Sequence, residues 1–119
     1  MEFNSDFKYD LKVGQLAEET LSKFFTNSKV EVKRDFKAIE TGNIFVEYES
    51  RGKHSGISTS EAEWYCYFIS EEQFIIISSL KLKKLCRKYI GTDRDVFGGD
   101  SNTSKGILLP ISDLVGITN

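Results

Sequence analysis

Polar and apolar residues alternate through residues 29–50, KVEVKRDFKAIETGNIFVEYES, and the alternation predicts two strands joined by a turn. The first covers residues 30–35 and the second residues 43–49. A period of two sends successive side chains to opposite faces of a sheet. Ile44, Val46 and Tyr48 then share one face, and Phe45, Glu47 and Glu49 the other. In the first strand Val30 and Val32 oppose Glu31, Lys33 and Asp35. Thr41, Gly42 and Asn43 supply the turn chemistry. Paired as a hairpin, the strands would bring Asp35, Glu47 and Glu49 together at one end of one face.

Helical periodicity sets the other landmarks. Residues 1–9 read as a loose lead-in, after which Asp10 caps a helix running to about Phe25. Its apolar stripe is Leu11, Gly14, Leu21 and Phe25, and Glu18 falls within that stripe. An inward-facing Glu is costly unless it is paired or bound to a metal. Ser58, Thr59 and Ser60, followed by Glu61 and Glu63, look like the start of a short helix. Strands are expected over residues 64–69 and 73–78, separated by a turn at 70–72. Residues 79–89, SLKLKKLCRKY, form a second amphipathic helix. Leu82, Leu85, Cys86 and Tyr89 make its buried stripe; Lys81, Lys83, Lys84, Arg87 and Lys88 make a basic outer face. Residues 91–106 read as a long polar, glycine-rich loop, and 107–111 as a closing strand that Pro110 assigns to an edge. Residues 113–119 are a tail. The sum is one α/β (α+β) domain over residues 1–119, in the order α-β-β-(α)-β-β-α-β.

Composition narrows the function classes. At 119 residues and 39% hydrophobic content the chain can bury one core. A net charge of −2 argues against a strongly basic nucleic-acid coat. The longest apolar run, near Phe74 to Ile77, is too short to span a bilayer, and MEFNSDFKYD lacks a signal-peptide pattern. No membrane association is expected. Cys66 and Cys86 have no CxxC spacing, which suits a reduced, cytoplasmic setting. A single His argues against zinc sites of the His/Cys type.

Three carboxylates gathered on a rigid sheet repel one another unless a cation sits among them, and a hard divalent ion with oxygen ligands fits that need. Glu18 is a candidate fourth member. Beside the expected hairpin lies a glycine-bracketed loop with Arg51, Lys53, His54 and Ser55, followed by Ser58. Together with Lys84 and Lys105, these residues are candidates for holding nucleic-acid phosphates. A solvated connection and a solvated helix face are the ordinary alternatives.

A helix, a strand ending in Asp and a strand carrying an acidic pair together resemble the PD-(D/E)XK nuclease superfamily. The segment Gly14 to Glu18 resembles the G-x-x-x-E opening of its Holliday-junction resolvase-like members. Asp35 is similar to the family's strand-end Asp, and Glu47 to the first acid of its (D/E)XK strand. Glu49 stands where the family usually has Lys, as in certain restriction enzymes, and no Pro precedes Asp35. The likeness covers roughly residues 10–68, and TGNIFVEYES followed by SGIST resembles nucleases encoded by bacteriophages. Glu31-Val32-Lys33 is literally E-x-K, but no acidic strand precedes it. Lys33 instead shares a face with Asp35 and could supply the missing ammonium; a plain ion pair with Glu31 or Glu47 is the alternative.

The resemblance implies a restriction-endonuclease-like core, a mixed central sheet flanked by helices, and Mg²⁺-dependent endonucleolytic cleavage of DNA, with Mn²⁺ as a substitute. Branched, Holliday-junction-like DNA is a possible target. Asp35 and Glu47 would hold the ion, Glu18 and Glu49 would complete its surroundings, and Lys33 would act beside them. A homodimer is expected, in the host cytoplasm if the chain is phage-encoded. Two other classes stay open: a catalytically inactive nuclease-fold module that binds nucleic acid, and a phage protein-interaction protein.

Overall fold

The computed structural model describes residues 3–116, with side chains described for 11–99 and 101–116. The chain opens with helix α1, Phe3–Asn27. No Gly or Pro interrupts residues 3–9, so the expected lead-in is helical from Phe3 on, and Asp10 lies inside the helix instead of capping it. Residues 1 and 2 lie outside the described residues.

The α+β class expected from the sequence is what the chain adopts, with its strands divided between two sheets. Strand β1 (Val30–Arg34), β4 (Trp64–Phe68) and β5 (Phe74–Ser78) form a three-stranded mixed sheet in the order β1-β4-β5. Here β1 runs parallel to β4, and β4 antiparallel to β5. Strand β2 (Asn43–Ser50), β3 (Lys53–His54), β6 (Asp95–Gly98) and β7 (Ser104–Pro110) form an antiparallel sheet in the order β3-β2-β7-β6. The expected hairpin between residues 30–35 and 43–49 is therefore absent. A short helix α2 (Ala38–Thr41) intervenes, anchored by the fully buried Ala38. Gly42 closes it at φ 75°, a left-handed conformation suited to glycine. This turn carries the chain from one sheet to the other.

Ile44, Val46, Ile107 and Leu109 of the antiparallel sheet, Tyr65, Tyr67 and Ile77 of the mixed sheet, and Leu82, Leu85 and Cys86 of helix α3 (Ser79–Arg87) form one core. Each such buried Val, Leu or Ile side chain stabilises the fold by about 1.5–3 kcal/mol. The Ser78 side chain caps α3 by accepting the Lys81 N–H at 3.2 Å. Helix α4 (Ile111–Leu114) follows β7.

Three further expectations are corrected. Residues 58–63 form no α-helix; a 3-10 turn at Gly56–Ser58 stands in its place. The glycine-rich stretch 91–106 is not one long loop: it contains β6 and the start of β7. Its glycines make room for an aromatic ring: a Cβ at Gly98 would lie 2.9 Å from Phe45 Cε1, and one at Gly106 2.6 Å from Phe45 Cζ. Strand β7 is interior, between β2 and β6, and Pro110 is tolerated because it is the last residue.

Candidate active site

Asp35 and Glu47 line one cavity of about 300 Å³ together with Lys33, Phe45, Tyr65 and Tyr67. The two acids reach it from different sheets. Asp35 directly follows β1, whereas Glu47 lies mid-strand in β2.

The junction has a definite cause. Beyond its short pairing with β3, β2 has no strand partner on that side among the described residues, so one edge of it is open near Phe45. Side chains from the ends of the mixed sheet fill the gap. Asp35 Oδ2 accepts the Phe45 N–H at 2.8 Å, and the Tyr67 hydroxyl donates to the Phe45 carbonyl at 3.4 Å. Burial, with smaller contributions from Tyr65, Cys86, Asp35 and Glu31, pushes the Tyr67 pKa well above the usual tyrosine range, so its hydroxyl keeps its proton. Asp35 thus has a structural duty as well as a place in the cavity.

Glu47 is fixed from the other side. Ser55 Oγ donates to Glu47 Oε2 at 2.9 Å. Gly56, at φ 52°, lies so close that a Cβ there would sit 2.2 Å from the Glu47 carbonyl oxygen. Only glycine suits both the backbone angle and the approach. The Ser-Gly pair of SGIST therefore holds the acid of VEYES in place, a link between two segments that the sequence shows only as neighbours.

The wider acidic cluster does not assemble. Glu18 is exposed on α1, whose aromatic contact with the sheets is through Phe24 and Trp64 at its far end. The expected stripe is not buried either: Leu11, Leu21 and Phe25 are more than half exposed. The face of α1 nearest the sheet carries Val13, Leu16, Ala17, Thr20, Leu21 and Phe24, so of the expected stripe Leu21 alone borders it. Glu49 is displaced by an irregularity in β2. Glu47 pairs with Gly106 and Glu49 with Lys105, so Tyr48 is an extra residue in the ladder. A bulge breaks strict alternation. Glu49 consequently lies against Lys105 and His54 in register and is not part of the cavity lining. Among the described residues no group of three or more His, Cys, Asp or Glu side chains gathers as a metal site. The candidate ligand set is reduced to Asp35 and Glu47. Lys33 pairs with Glu31 at 3.3 Å, both side chains being about half exposed (45% each), and it lines the cavity as well.

The expected phosphate-binding residues separate into groups. Arg51 and Lys53 are exposed around the β2–β3 turn, and Lys84 is exposed on α3. Ser55 is engaged by Glu47, and Ser58 Oγ donates to the Tyr48 carbonyl at 2.8 Å. Lys105 does not swing on a loop: it sits in β7, its Nζ 6.0 Å from the Tyr48 ring centre and 5.8 Å from that of Phe97. The Tyr48 hydroxyl and the Asp95 charge raise its pKa. Asp95 was not singled out from the sequence. It accepts from the Tyr48 hydroxyl at 2.7 Å and from the Gly91 N–H at 2.9 Å. One Asp of three in a glycine-rich stretch carries no signal for this.

No protein-family model matches the chain, and no curated protein or solved structure matches it. Among the described residues no helix is long and apolar enough to cross a membrane.

Proposed function

We propose that the chain is a metal-dependent endonuclease that hydrolyses phosphodiester bonds in DNA, with Asp35 and Glu47 as ligands of Mg²⁺ or Mn²⁺ and Lys33 beside them. The observation that carries this reading is the shared cavity of Asp35, Glu47 and Lys33, two carboxylates and an ammonium drawn from two sheets. The donor set suits the ion. Each carboxylate gives one oxygen to a protein donor, Asp35 Oδ2 to Phe45 and Glu47 Oε2 to Ser55, and keeps the other for a ligand. Mg²⁺ is commonly held by one or two carboxylates, with water and substrate phosphate oxygens completing six. Bound there, the ion would supply an acidified water and neutralise charge on the phosphate.

The chain's own residues do the rest. Ser55 fixes the Glu47 carboxylate, Gly56 packs on the backbone of Glu47, and the Phe45 amide fixes the Asp35 carboxylate, so neither acid must be ordered when substrate arrives. Lys33 can leave its exposed pairing with Glu31 and place positive charge beside the phosphate. Arg51 and Lys53, exposed at the β2–β3 turn, would track the neighbouring backbone phosphates. A homodimer is part of the proposal, since two-fold symmetry suits a small domain acting on two strands.

A second reading, a nucleic-acid-binding module without catalysis, is favoured by Asp35 serving the fold through Phe45 and by Glu49 standing outside the cavity. Labelled linear and branched DNAs, incubated with Mg²⁺ or Mn²⁺ and separately with EDTA, divide the two. Cleavage that requires the ion supports the endonuclease; retention of DNA in EDTA with no cleavage under any condition supports the silent module.

A further inference from the structure

On the other face of β2 from the carboxylates lies a second cavity, of about 340 Å³, between β2 and helix α3. Its floor is apolar, formed by Val46, Ile57 and Ile107, and its rim carries His54, Lys83 and Arg87. Among the described residues no carboxylate lines it, although the chain as a whole is acidic. Lys83 and Arg87 are four residues apart on α3, one helical turn, and so project to one side. His54 faces them from β3. None of the three makes an ion pair or side-chain hydrogen bond among the described residues, unlike Lys88 on the same helix, which pairs with Asp113 at 3.3 Å. The Tyr48 and Ser58 hydroxyls at the edge are already donating, to Asp95 and to the Tyr48 carbonyl.

Two unpaired cations, Lys83 and Arg87, and the His54 imidazole around one apolar hollow call for a ligand with one anionic group on a flat or apolar body. Donors from two separate elements, β3 and α3, suit a tetrahedral phosphate, which accepts from several directions, better than a planar carboxylate. The volume lies at the small end of the range for ligand pockets. We propose that this cavity binds a nucleoside monophosphate, its phosphate held by His54, Lys83 and Arg87 and its base laid over Val46, Ile57 and Ile107. The nucleotide is either free or the terminal residue of a strand. The site uses none of the carboxylates of the nuclease reading and stands without it.

The test is calorimetric titration of the full chain with adenosine 5′-monophosphate in EDTA, which removes any contribution from metal at Asp35 and Glu47. Saturable one-to-one binding is expected, at least tenfold weaker for adenosine and for inorganic phosphate alone. Lys83→Ala with Arg87→Ala should weaken it at least tenfold, whereas Lys81→Ala with Lys84→Ala and Asp35→Asn should leave it within about twofold. Methyl resonances of Val46, Ile57 and Ile107 should shift on titration of the unaltered chain, a readout independent of how the variants fold. A 5′-phosphorylated hexanucleotide binding more tightly than the free nucleotide identifies a strand end as the source, and the reverse order identifies the free nucleotide. Absence of binding at millimolar nucleotide, or equal loss from both lysine-containing pairs, overturns the proposal.

Discussion

The carboxylate of Asp35 accepts the backbone N–H of Phe45 at 2.8 Å, tying the end of β1 to the open edge of β2. With the Tyr67 hydroxyl on the Phe45 carbonyl, it does for β2 what another strand would do. The same contact sets Asp35 beside the cavity that Glu47 lines, so the junction between the sheets and the candidate site are one feature.

This double role separates two substitutions at Asp35. Asp35→Ala leaves a part-buried N–H without a partner and should cost about 1–3 kcal/mol. Asp35→Asn keeps an acceptor oxygen while removing the charge, and should cost less than about 1 kcal/mol. Urea unfolding measures both, and equal losses would show that the contact with Phe45 contributes nothing.

Gly56→Ala should be more damaging than a surface glycine change. The left-handed backbone and the Glu47 carbonyl, which an added Cβ would strike, both resist a methyl group. A loss of about 1–3 kcal/mol is expected from strain of this kind, along with loss of any activity that needs Glu47 in place. Gly52→Ala, at φ 79° with open space around it, carries the backbone strain without the clash and is the control that isolates the clash. Thermal melting of the two variants gives the comparison.

Asp95 gives the fold an acid-sensitive contact. Burial alone would raise its pKa, but the Gly91 amide, the Tyr48 hydroxyl and the Lys105 charge outweigh it and hold the carboxyl below its usual range. A folded pKa below the unfolded value of about 3.9 contributes stability above that pH, lost as pH falls through the folded pKa. Tyr48→Phe removes one donor, so it should lower stability by about 1 kcal/mol near neutral pH. The gap to the unaltered chain should narrow below about pH 4. Denaturant titrations at pH 3 and pH 7 test this.

Divalent cations should stabilise the folded chain by mass action. At a concentration a hundredfold above Kd the gain is about 2.7 kcal/mol. Glu47→Gln should abolish the rise in melting temperature in Mg²⁺ or Mn²⁺, and Glu18→Gln should leave it intact.

The parts of the fold that were legible are those where period and burial agree. Ile44 and Val46 are buried as alternation required, and Leu82, Leu85 and Cys86 as helical spacing required. The illegible parts depend on distant partners. Whether β1 pairs with β2 or with β4 is decided by α2, four residues long, and by the strand-prone run Trp64 to Phe68. The bulge at Tyr48 leaves no mark in VEYES, yet it separates Glu49 from Glu47. Gly98 and Gly106 read as loop residues because Phe45, more than fifty positions away, is what requires them to be glycine. Asp35, Glu47 and Lys33 are legible as candidates in the sequence; the Ser55 contact that orients Glu47 is not.

Metal-dependent cleavage of labelled DNA by Asp35→Asn, Glu47→Gln and Glu49→Gln, assayed beside the unaltered chain, bears most directly on the two-carboxylate site. The expected result is cleavage by the unaltered chain, at least a hundredfold loss in the first two variants, and far smaller loss in Glu49→Gln. Cleavage at full rate by Asp35→Asn and Glu47→Gln, both folded, would contradict the account.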